Sequence, residues 1–342
     1  MIRKLVFLSL FGWLLAYSAN SLASDALLSG KNESKAKPTE SKAKPIEKVK
    51  LALNWKPEPQ FGGFYAASIM EFDKALGFEF EIAPGGSGTP VVQMIASGQF
   101  DFGIASGDEI VVSRLRGLEL VALFAAYQTN PQGLMTHAER GFESLADVFK
   151  SSGTIAMQKG LPYAQFLQTK YAAGMRASIV PYLGGVSNFL GRKDHSQQCF
   201  VTSEPLLATK QGAKVKTFLV AESGFNPYTT VLVTRQSLLK EKPELVKNVI
   251  QAVRRGWRGY LDNPQILDAA NTKMQRLNPS IDLVTMKEMA TEQKALIEPP
   301  KSKKDDLGKM TSARWQELED QLFSMKVISK KSSGVSYFPS DF

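Results

Sequence analysis

From Val49 onward, apolar runs of strand length alternate with segments of helix length, and the series starts afresh near Phe142. The first series holds "KLALNW", "FEFEIAP", "FDFGIAS" and "ELVALFAAY"; the second holds "GTIAMQ", "SIVPYL", "QCFVTS" and "VKTFLVA". Parallel neighbours need a long crossover, so this cadence implies a mostly parallel sheet with helices on both faces. Two such series imply two α/β lobes. After Asn226 the strand "TTVLVT" leads into helices with no new strand series, so the chain is expected to return to the first lobe. The expected division is 49–134 plus 229–342 for one lobe and 135–228 for the other. The crossings fall near Gln132–His137 and Asn226–Thr230, which makes a hinged clamshell.

Local signals agree with this layout. Thr89 and Pro90 are placed to start a helix that Gly98 ends. Ser106 and Glu109 form a capping box for a helix running to Gly117. Between Pro243 and Asp262, Leu245, Val249, Val253 and Trp257 are spaced for one helix face.

The first 50 residues follow other rules. Arg3 and Lys4 precede an apolar run from Leu5 to Tyr17, and Ser21-Leu22-Ala23 fits a signal-peptidase site. The expectation is a cleavable export signal over 1–23 and a periplasmic mature protein. Residues 24–48, with "ESKAKPT" at Glu33 and "ESKAKPI" at Glu40, read as a disordered linker. Five of the nine net positive charges fall within residues 1–50, and the rest are dispersed. That distribution excludes a nucleic-acid surface. A lone Cys199 allows no internal disulfide, and two histidines, His137 and His195, do not make a histidine-rich metal site.

In open α/β sheets, ligands bind beyond the carboxyl ends of the strands. The loops there carry Trp55, Gln60, Phe61 and Tyr65 after the first strand, Ser87 after the second, and Ser106 and Asp108 after the third. Gln128 follows the fourth. The second series adds Tyr163, Asn188 and Glu204. These eleven residues are the candidate ligand-binding set. Gly62 and Gly63 are expected to let backbone approach the ligand. "GGSGT" lacks the Gly-Lys-Ser/Thr ending of a phosphate loop, and no cofactor is implied. The carboxylates near the cleft are Glu58, Asp108, Glu109 and Glu204, against Lys56 and Lys159 and no arginine. Sulfonate or nitrate would call for arginine or a basic excess, so the residues favour a neutral or cationic flat heterocycle.

The segments "LNWKPEPQFGGFYAA", "GGSGTPVVQMIASGQFDFGIASGDE", "QKGLPYAQF", "SQQCFVTSEP" and "SGFNPYTTVLVTR" resemble extracytoplasmic solute-binding proteins of the thiamine-pyrimidine, SsuA-like type that serve ABC importers. The resemblance implies a type II periplasmic-binding-protein fold. It also implies a small-molecule ligand, a membrane permease as partner, and a monomer without catalytic activity. It assigns an aromatic wall to Trp55 and Gln60-Phe61 and a carboxylate for ligand amino groups to Glu204. Pyrimidine binders often carry a histidine in the first loop, where this chain reads "PEPQFGG". A thiamine-precursor pyrimidine, a riboflavin-like molecule and a sulfonate- or nitrate-like solute stay open as ligands, as does a ligand-sensing receptor subunit. Relatives that synthesise the pyrimidine use that histidine and a cysteine cluster, so an enzyme of that kind is not expected.

Overall fold

A computed structural model describes residues 46–332 and 336–339. The expected signal segment and most of the linker lie outside the described residues. The strands are β1 (Glu47–Ala52), β2 (Phe78–Ala83), β3 (Phe102–Ala105), β4 (Leu120–Tyr127) and β5 (Gln132–His137). They continue with β6 (Thr154–Met157), β7 (Ser178–Pro181), β8 (His195–Phe200), β9 (Val215–Leu219) and β10 (Thr229–Arg235). They form two five-stranded sheets, in the orders β2-β1-β3-β10-β4 and β7-β6-β8-β5-β9. This is a two-lobed α/β architecture.

Each sheet is mixed rather than simply parallel. β1 runs parallel to β2 and β3, but β10 is antiparallel to both β3 and β4. In the second sheet β6 is parallel to β7 and β8, whereas β5 is antiparallel to β8 and β9. The antiparallel strands are the first strand after each crossing, because a chain that enters a sheet from its binding edge runs against its neighbours. Gln132–His137 was expected to be a crossing and is instead β5. Its residues from Gly133 onward are buried between β8 and β9. The outward connection is therefore the segment 128–131, and the return lies between β9 and β10. The two connections are bonded to each other. Asn226 Oδ1 accepts from Asn130 N–H at 2.8 Å, and Asn130 Nδ2 donates to the Pro227 carbonyl at 3.2 Å.

The long helix Pro243–Asp262 lays Val246, Val249, Val253, Trp257 and Tyr260 into the first core. Leu245, expected on that face, is only partly buried. The partner is the short helix Gly62–Ile69, and the contact explains its glycine pair. A Cβ on Gly62 would lie 2.2 Å from the Tyr260 ring, and one on Gly63 would lie 2.1 Å from the Trp257 ring. Gly256 answers from the other side, where a Cβ would lie 2.1 Å from the Gly63 carbonyl oxygen. Gly62-Gly63 thus serves close helix packing, not approach to a ligand. Phe64 meets Trp257 edge to face at 5.9 Å between ring centroids.

Gly63→Ala should therefore lower stability by about 1–3 kcal/mol or more, the usual cost of overpacking. Gly191→Ala, where an added Cβ meets nothing within 4 Å, should lose none. Denaturant unfolding of both variants checks this, and a Gly63→Ala protein as stable as wild type would contradict the packing account.

Candidate functional site

The carboxyl ends of the strands in both sheets face a cavity of about 220 Å³. The loop after β1 reaches it first. Pro57 and Pro59 bracket Glu58, and both proline carbonyls are held from behind. Asn278 Nδ2 donates to Pro57 O at 3.2 Å, and Gln293 Nε2 donates to Pro59 O at 3.0 Å. Gln293 Oε1 in turn accepts from the Tyr127 hydroxyl at 2.6 Å. Restricted φ at the prolines and these two bonds together aim Trp55, Glu58 and Gln60 at the cavity.

The second sheet contributes from the other side. Glu204 opens the helix Glu204–Lys210, and its Oε2 accepts from Phe200 N–H at 2.8 Å. The Tyr182 hydroxyl donates to Glu204 Oε1 at 3.1 Å. The Tyr163 hydroxyl and Gln158 N–H both donate to Gln198 Oε1, each at 2.5 Å. One bond joins the lobes within the cavity: the Ser203 hydroxyl donates to Glu58 Oε2 at 3.3 Å.

Of the eleven candidates, Trp55, Gln60, Ser106, Asp108, Tyr163 and Glu204 line this cavity. The other five do not, each for a physical reason. Phe61 and Tyr65 are buried in the first core, Phe61 on a turn packed against the helix Leu283–Ile297 and Tyr65 on the helix packed against Pro243–Asp262. Ser87 is exposed between Gly86 and Gly88, which do line the cavity. Gln128 turns its amide to the Ala125 and Lys309 carbonyls. Asn188 is exposed on the helix Ser187–Gly191. Thr89 does not cap the next helix; its Oγ1 accepts from Gly86 N–H at 2.8 Å and closes the loop. Glu109 does accept from the N–H and hydroxyl of Ser106, at 2.9 and 3.0 Å.

The cavity also draws on residues that strand-end reasoning passes over. Gln132 belongs to β5, Gln198 and Cys199 to β8, and Thr229 and Thr230 to β10. Gln198 lies in β8, whose sequence His-Ser-Gln-Gln-Cys-Phe is largely polar, so its side chain carries no distinguishing signal in the sequence. Thr230 has φ of 50°, a costly conformation for a β-branched residue, and it sits where the chain re-enters the first sheet.

Electrostatically the cavity is one-sided. Glu58, Asp108, Glu109 and Glu204 line it, and its lining includes no Lys, Arg or His. Burial pushes the Glu58 carboxyl up to about 8, with the charge of Glu204 adding to the shift and the Ser203 hydroxyl opposing it. Burial, then Glu109, raises Asp108 to about 6. Burial also raises Glu204, against its hydrogen bonds from Phe200 and Tyr182. Among the described residues there is no group of three or more His, Cys, Asp or Glu arranged to hold a metal ion.

Two mixed sheets with a cavity between their strand ends define the periplasmic-binding-protein class of two-lobed clamshell. The family model described as NMT1/THI5 like matches residues 58–266, and the chain belongs to that family. A riboflavin-binding protein from Chloroflexus aurantiacus is 24% identical over 236 residues, 67% of either chain. A formylaminopyrimidine-binding protein from Halalkalibacterium halodurans is 22% identical over 283 residues, covering 80% of this chain and 84% of its own. Among solved structures, the periplasmic aliphatic sulphonate binding protein SsuA from Escherichia coli has a TM-score of 0.63 at 11% identity, over 83% of this chain and 89% of that one. At that identity the likeness speaks for the fold alone.

Gln293→Leu should cost about 1–3 kcal/mol, because it strands the buried Tyr127 hydroxyl and the Pro59 carbonyl. Urea unfolding measures this. Unchanged stability would mean that the loop is not held from behind as described.

Proposed function

We propose that the protein captures a small nitrogen heterocycle, neutral or cationic, between its lobes and delivers it to an ABC permease outside the cytoplasm. One observation carries the ligand class: a cavity with four carboxylates and no basic side chain, walled by Trp55, Tyr163 and Tyr182. An anion such as a sulfonate would meet like charge there and no arginine fork. A flat ring with amino groups gains stacking, worth about 0.5–1.5 kcal/mol per aromatic pair. Its donors gain charge-assisted bonds of roughly 1.5–3 kcal/mol each.

Size narrows the class. The cavity volume, 220 Å³, is below the roughly 300–1,000 Å³ typical of drug-sized ligands. A single ring suits it better than a tricyclic flavin, so a pyrimidine-sized solute is the preferred reading. Binding is preferred over catalysis because the cavity's one thiol, Cys199, is buried and its pKa is raised by that burial. A nucleophile needs the opposite shift. Export rests on the signal-like residues 1–23.

Trp55→Ala and Glu204→Gln should each weaken binding of the solute that copurifies with the protein by about 1–3 kcal/mol while leaving the fold intact. Calorimetric titration paired with thermal melts reads both. Wild-type affinity in both variants would place the solute elsewhere, and unfolding of both would make the two residues structural.

A further inference from the structure

Glu58 and Glu204 belong to different lobes, and the cavity that brings them together contains no cationic side chain. Glu204 has its oxygens occupied by Phe200 N–H and the Tyr182 hydroxyl, which are neutral donors. Glu58 is met across the cleft by the Ser203 hydroxyl, also neutral. The groups around Glu58 can be followed element by element. On its own loop are the Trp55 indole and Lys56, whose side chain is exposed. From β4 comes Tyr127, from the loop after β7 Tyr182, and from the start of the Glu204–Lys210 helix Ser203 and Glu204. Both tyrosines are held neutral by burial, their pKa values raised. Lys56 is the one cation in this set, and it points its charge to solvent rather than into the cavity.

We propose that Glu58 and Glu204 form an inter-lobe carboxyl pair that must take up one positive charge as the cleft closes, supplied by a proton when the cavity is empty and by a cationic nitrogen of the solute when it is filled. The pair makes Glu58 the residue that selects ligand charge. This rests on the cavity being the solute site, and it narrows the class from neutral or cationic to cationic: an ammonium, amidinium or protonated aminopyrimidine-like group seated between the two carboxyls. A neutral ring of the same shape leaves the second negative charge uncompensated in a medium where unpaired charge is expensive.

The sign follows from where the proton binds more tightly. In the arrangement seen here Glu58 is pushed up to about 8, and an open cleft that returned it to water would return it toward its ordinary value of 4.5. A carboxyl raised by closure binds its proton more tightly in the closed state. Its contribution to closure is therefore complete below about 4.5 and is lost as pH rises through about 8. Empty protein should close as pH falls across that window. A bound cation should remove the dependence, because it replaces the proton.

The first arm of the test uses no ligand, so its outcome is separate from that of the solute-binding reading. Small-angle scattering of the empty mature protein is recorded from about pH 4.5 to about pH 9. Wild type is expected to compact as pH falls through about 8, and Glu58→Gln to show no transition there, any remaining dependence being that of Asp108, the other buried cavity carboxyl, near about 6. Glu204→Gln, which removes only the neighbouring charge, is expected to move the midpoint of closure to lower pH. It decides the matter if Glu58→Gln does not fold. A wild-type radius that does not change with pH, or a variant that titrates like wild type, would overturn the pair. The second arm compares benzamidine with benzamide, a flat cation and its neutral isostere, near pH 8.5, a condition on the alkaline side of about 8. Wild type is expected to bind benzamidine at least about tenfold more tightly, about 1.4 kcal/mol, and Glu58→Gln to lose the preference. Equal responses in wild type, zero included, would overturn the charge selection.

Discussion

Glu58 stands in the cleft because the two carbonyls beside it are held from behind. Asn278 takes the Pro57 carbonyl and Gln293 takes that of Pro59, and both donors come from the part of the chain that follows β10. The first loop is therefore positioned by residues that lie beyond the second lobe in the sequence, where the chain has returned to the first sheet. The helix Gly62–Ile69 is seated the same way, its glycines pressed against Trp257 and Tyr260. A carboxylate with a raised pKa stores unfavourable solvation, and such a group persists only where its surroundings leave it no other place. Two prolines and two carbonyl clamps provide that restriction.

The same arrangement makes the cleft sensitive to what enters it. One lobe offers Glu58 and Asp108, the other Glu204, and the bond between lobes inside the cavity is a neutral hydroxyl on a carboxyl. A ligand shifts an open–closed equilibrium only through its preference for one state. In the proposed reading, that preference comes from satisfying acceptors contributed by both lobes. The crossings are tied to each other by Asn130, Asn226 and Pro227.

The strand–helix cadence made the two lobes legible, because most strands carry an apolar run and they alternate with segments of helix length. Trp55, Asp108 and Glu204 were legible for the same reason: they follow directly from where strands end. Phe61 and Tyr65 were not. An aromatic run around Gly-Gly reads equally well as a cleft lip or as a helix interface until its partner is known, and Trp257 lies far along the chain. The opening of that loop faces the cavity and its end faces the core, with the change at Phe61. β5 was missed because Gln132–His137 holds a glycine and three polar residues, which look like a connector. Its burial comes from lying between β8 and β9, a tertiary fact. With β5 went Gln132 as a cavity residue.

The central claim is that an acidic cavity of single-ring size selects a nitrogen cation between two lobes. Native mass spectrometry of the protein purified from its own host tests it most directly, since a closed cleft retains its solute. The account predicts one bound small molecule with the mass of a single-ring, amino-bearing heterocycle, released by Glu204→Gln. A retained sulfonate or other anion, or a flavin-sized ligand held equally by wild type and Glu204→Gln, would contradict it.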